Sequence, residues 1–97
     1  MDLRSLRALI AEREDAEELC RGADRINDLT DQEAAVFALL HTAPSNEEIA
    51  RDLHISERTV KFHIANLRKK LGEVSRLQLC LLAALTQLTD HPEHTDH

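Results

Sequence analysis

Residues 45–71 read SNEEIARDLHISERTVKFHIANLRKKL, and the spacing of their apolar positions decides the fold. Two helix starts are written into the stretch. Ser45 followed by Glu48 is a capping box, in which hydroxyl and carboxylate each take up a backbone N–H near a helix N-terminus. Ser56 supplies a second cap. These signals predict a short helix through about Leu53, a tight turn at His54-Ile55, and a longer helix from Glu57 to about Leu71, with Gly72 as its stop. Ile49, Ala50, Leu53, Ile55, Val60, Ile64 and Leu67 then fall where two crossing helices share a core. Ala50 is small where the second helix must come close. This is the layout of a helix-turn-helix.

Once Val60, Ile64 and Leu67 turn inward, Arg58, Lys61, Phe62, Ala65 and Arg68 are left on or near the outer face. Residues 54–76 carry six Lys or Arg against two Glu, in a chain whose net charge is −6. A basic front on a helix with an apolar back suits a helix that enters the major groove of duplex DNA. Lys69, Lys70 and Arg76 follow where phosphates would be met. Ser56 and Thr59 stand at the helix N-terminus, where hydroxyls, backbone N–H groups and the dipole favour a phosphate. The bland alternative is a solvated basic face. The two caps and the spacing favour DNA.

Working outward, the composition agrees with an all-α protein. Two Gly, two Pro and 42% hydrophobic residues leave little material for strands and turns. Thr30 and Glu33 form another capping box, ahead of an apolar face of Val36, Phe37, Leu39 and Leu40 that Pro44 closes. Ser75 opens a last helix, RLQLCLLAALTQL. Ahead of these, Leu3, Leu6, Leu9, Ile10, Ala16, Leu19, Cys20, Ala23 and Ile26 recur at spacings of three and four. They predict one amphipathic helix over residues 2–26, frayed or ended by Gly22. Its stripe suits packing on its own domain or dimerisation about equally. The expected organisation is an N-terminal helix in 1–28, a helix-turn-helix domain in 29–89 and a polar tail in 90–97.

The stretch from Leu29 to about Leu85 resembles the LuxR/GerE type of DNA-binding domain. The resemblance rests on LTDQE, SNEEIA, L-x-IS-E-x-TVK-x-H, KKLG and SR taken together. It implies a four-helix domain, here preceded by the amphipathic helix, that binds inverted-repeat promoter sites in double-stranded DNA as a homodimer. It assigns base reading to Lys61, Phe62 and Ala65, and backbone contact to Ser56, Arg58, Thr59 and Arg68. It places the dimer contact on the last helix, with Leu77, Leu81, Leu85 and Leu88. RNA polymerase or a regulatory protein would be further partners, and no cofactor is implied.

Three departures stand out. The loop HTAPSN lacks the glycine usual before the second helix, so its turn must be built around Pro44. Phe62 and Ala65 are apolar where many relatives carry polar readers, which favours contact with thymine methyl groups. The 28 residues ahead of the motif resemble neither a receiver nor a ligand-sensing domain.

Two other readings compete. One is an acidic interaction module that pairs with a larger regulator, in keeping with a net charge of −5 over residues 1–33. The other is region 4 of a sigma factor, which shares the EIA…S-x-x-TV core but not the K-x-H step or the KLG…SR ending. An enzyme finds little support. No nucleophile–base pair or phosphate-binding Gly loop is present, and His63 is expected as a hydrogen-bonding buttress of the core. Cys20 and Cys80 read as free thiols outside any zinc spacing. His41 and His54 are expected at helix ends, and His91, His94 and His97 in the tail. With no signal peptide and no apolar run near membrane length, the expected location is the cytoplasm.

Overall fold

A computed structural model describes Ala8 and residues 10–89; the tail and its histidines lie outside the described residues. Over residues 16–89 the fold is built from five α-helices: α1 (Ala16–Asp24), α2 (Asp31–Leu39), α3 (Asn46–Leu53), α4 (Glu57–Lys70) and α5 (Arg76–Thr89). Short 3-10 turns, Ile26–Asp28 and Leu40–Thr42, follow α1 and α2. No strand occurs among the described residues.

The helix starts form as the hydroxyl chemistry dictates. Thr30 and Glu33, and Ser45 and Glu48, close reciprocal capping boxes. The Ser56 hydroxyl accepts from the Thr59 backbone N–H at 3.0 Å. A further box starts α5: Ser75 Oγ accepts from the Gln78 N–H at 3.1 Å, and Gln78 Oε1 accepts from the Ser75 N–H at 2.9 Å. Gly72, at φ 95°, ends α4. The N–H of Glu73 reaches back to the Arg68 carbonyl and that of Gly72 to the Lys69 carbonyl, the paired bonds of a Schellman motif. The end of α3 uses the same pairing, from Ile55 to Ala50 and from His54 to Arg51, with His54 as the left-handed residue.

The core runs through every helix. Leu19, Val36, Leu40, Ile49, Val60, Leu67, Leu71, Leu79 and Leu82 are fully buried. α4 packs on both α2 and α3, while α5 packs across the 3-10 turn after α2. Burying one such leucine contributes about 2 kcal/mol.

The N-terminal stretch corrects two expectations. Ala8 and Ile10 are helical, but residues 11–15 are turns and a bend, so the helix is not continuous over 2–26, and α1 itself starts at Ala16. The break coincides with a local pairing, in which Arg13 donates to Asp15 at 2.8 Å and Asp15 also accepts from Gln78 of α5 at 2.9 Å. Gly22 does not end the helix. It is buried inside α1, and a Cβ there would lie 3.0 Å from the Leu71 carbonyl oxygen and 3.2 Å from Leu82 Cδ1. The glycine permits close approach of α1 to the end of α4. The stripe of α1 is thus spent on its own domain, with Leu19 and Ala23 buried.

Candidate nucleic-acid interface

The candidate face belongs to α4 and is fixed from behind. Val60, Ile64 and Leu67 are buried, and α2 and α3 pack against that side. On the other side Arg58, Lys61, Phe62, Ala65, Arg68 and Lys69 are exposed. Phe62, at 62% exposure, is among the most open large apolar residues of the described chain. Its ring stands 5.8 Å from that of His63, tilted by 58°. At the N-terminus of α4, the Ser56 and Thr59 hydroxyls lie 2.9 Å apart and share a hydrogen bond.

The six cations of residues 54–76 divide into two groups. Among the described residues, Arg58, Lys61 and Lys69 make no hydrogen bond or ion pair. The other three have internal partners. Arg68 Nε donates to the Val74 carbonyl at 2.9 Å, fastening the loop after α4. Lys70 Nζ donates to Glu33 Oε1 at 2.7 Å. Arg76 donates through its two terminal nitrogens to Asn46 Oδ1 at 2.6 Å and to the Pro44 carbonyl at 2.8 Å. Arg25, just beyond α1, caps the end of α4 through the Lys70 carbonyl at 3.4 Å.

Glu33 is buried and accepts both the Lys70 ammonium and the Thr30 N–H. The Lys70 hydrogen bond, helped by the Thr30 N–H, holds its carboxyl below the usual carboxylate range. The pair joins the start of α2 to the end of α4, so the angle of the exposed helix is set by a charge-assisted contact as well as by packing.

His63 requires a correction. It is buried, at 9% exposure, but it makes no hydrogen bond, and its Nδ1 is sealed off without a partner. Among the described residues, no cluster of three potential metal ligands occurs and both cysteines are free. No described helix is long and apolar enough to cross a membrane.

The internal roles of Lys70, Arg76 and Arg68 were not legible in the basic count. Their partners Glu33, Asn46 and Val74 belong to other elements, and a charge run alone does not say which cations face outward.

Residues 27–83 match the family model for bacterial regulatory proteins, luxR family. The chain belongs to that family. Its helix-turn-helix is therefore a DNA-binding module of transcription regulators, and the luxR family is not one of enzymes. A relative, the nitrate/nitrite response regulator protein homolog of Haemophilus influenzae, is 46% identical over 57 residues. That match covers 59% of this chain and 27% of the relative, so the chain spans about a quarter of the length of that relative. No solved structure matches the chain.

Proposed function

We propose that this chain is a sequence-specific regulator that lays α4 in the major groove of promoter DNA. The supporting observation is the face of α4 itself, where Arg58, Lys61 and Lys69 are exposed and unpaired around Phe62 and Ala65 while the opposite side is packed into the core. Lys61 reads a base edge, and Phe62 and Ala65 lie against thymine methyl groups. Ser56, Thr59, Arg58, Arg68 and Lys69 hold the backbone on either side. Lys70 and Arg76 act behind them by fixing α4 and the Pro44 loop.

Two copies pair through α5 on an inverted-repeat site. Leu77 and Leu88, exposed by 77% and 63%, lie on the outer side of that helix with the half-buried Leu81 and Leu85. RNA polymerase or a regulatory protein then reads the bound dimer. The experiment is selection of bound sequences from random duplex DNA, followed by affinity measurements on the winning site. Lys61→Ala is expected to cost about 1–3 kcal/mol on that site and little on unrelated duplexes. Lys69→Ala should weaken every duplex alike. Unchanged affinity on Lys61→Ala would remove α4 from the groove.

A further inference from the structure

A cavity of about 210 Å³ lies behind the first turns of α4, between α2 and the helix-turn-helix turn. Its apolar lining is formed by the buried Val36 and the half-buried Leu53 and Ile55, with the exposed Gln32 and Ala35 of α2 beside them. Thr59 and His63 form the α4 wall. None of the lining side chains is an acid, a lysine or an arginine.

His63 is the feature that core packing leaves unexplained. A buried polar group without a partner is costly, and native structures usually supply one. The sealed Nδ1 has no acceptor near it. A proton there would be a stranded donor, whereas an idle lone pair costs less, so the tautomer carrying its proton on Nε2 is favoured. Nε2 is then the donor available to a molecule in the cavity, and the exposed Gln32 offers an amide as a second.

We infer that this cavity is a binding site for a small neutral carbonyl compound, with its apolar body on Val36, Leu53 and Ile55 and its oxygen accepting from His63 Nε2. A charged ligand is disfavoured because nothing in the lining would compensate its desolvation. The volume holds about seven waters' worth of space at ~30 Å³ each, room for roughly ten non-hydrogen atoms. The occupant sits against the turn that sets the angle of α4.

The test is a titration of the ¹⁵N-labelled full chain, without DNA, using acetophenone and toluene as probes. Acetophenone should give saturable amide shifts confined to residues 32–36, 53–55 and 59–63, with a dissociation constant on the order of millimolar. It should also move the His63 Nε2 resonance and bind several-fold more tightly than toluene. Ala35→Leu, which fills the opening from an exposed position, should weaken acetophenone at least tenfold without altering the melting temperature by more than a few degrees. His63→Phe, checked for folding by circular dichroism, should bring acetophenone down to the level of toluene. Absence of saturable shifts, shifts centred elsewhere, or equal binding of both probes to the native chain would overturn the site. Because no DNA is present, each of these outcomes is independent of the proposed regulatory function.

Discussion

Ala43 has φ 54° and ψ 51°, left-handed values that disfavour a residue with a Cβ. It occupies the turn between α2 and α3, in the loop that lacks the glycine usual to such domains. Arg76 stitches this loop through the Pro44 carbonyl and Asn46, so the alanine is held by contacts that local preference does not supply. Ala43→Gly relieves the left-handed strain but adds freedom to the unfolded chain. The net expectation is a gain of about 1 kcal/mol, read in urea unfolding as a higher midpoint with an unchanged slope. Gly22 is the opposite case. In an isolated helix, alanine would be better than glycine by about 1 kcal/mol. Here the added Cβ lies so close to the Leu71 backbone carbonyl and Leu82 that they would have to give by a few tenths of an ångström, so Gly22→Ala is expected to lower stability by about 1 kcal/mol. A stabilised Gly22→Ala protein in the same unfolding experiment would show that α1 has room to shift.

At the scale of the elements, α5 has two faces with different duties. Leu79, Leu82 and Ala83 close the core, whereas Leu77 and Leu88 meet no core residue closely enough to be covered. If the outer face joins two copies, Leu77→Glu combined with Leu88→Glu should yield monomers in light scattering with little change in melting temperature. An unchanged dimer would move the interface elsewhere. The starts of α2 to α5 were readable in sequence because each rests on a hydroxyl and its near neighbours, such as Thr30 with Glu33 and Ser45 with Glu48. The inward set of α4 was equally plain from its period. The contacts that set the helices against one another were not. Lys70 with Glu33 spans 37 positions and Gln78 with Asp15 spans 63, and no local pattern encodes such a meeting. The same limit explains the break at residues 11–15, where apolar periodicity suggested continuity but Arg13, Asp15 and Gln78 favour a turn. It also explains why His63 was expected to have a partner.

Across the whole molecule, two carboxylates tie the N-terminal part of the chain to the rest. Asp15 is drawn down to about 2 by hydrogen bonds from Arg13 and then Gln78, and Glu33 is lowered by Lys70. Both ionise more readily in the folded state than their ordinary values of 3.8 and 4.5. Their contribution is therefore fully present above those ordinary values. It is lost as pH falls through the folded ones, because the unfolded chain takes up protons first. The urea midpoint should hold steady down to about pH 5 and fall toward pH 2. Combining Asp15→Asn with Glu33→Gln should lower stability at neutral pH and flatten that fall. A native-like acid slope in the double variant would assign the effect to other carboxylates.

The sorting of cations into free and internally held also fixes an ion count. Binding to duplex DNA releases condensed counterions roughly in proportion to the phosphates newly neutralised, and a lysine already matched by a buried glutamate adds little to that number. Of the six positive charges between His54 and Arg76, Lys70 is matched and Arg76 is committed to Asn46 and Pro44. With Lys61 proposed on a base edge, Arg58, Lys69 and Arg68, the last tied to Val74 through Nε alone, remain for phosphates, so the logarithm of affinity should fall with the logarithm of salt concentration with a slope of about −3 per protomer. A slope beyond about −5 would mean that the internal fasteners open on binding. The dependence on salt would then measure how firmly the domain holds itself together on DNA.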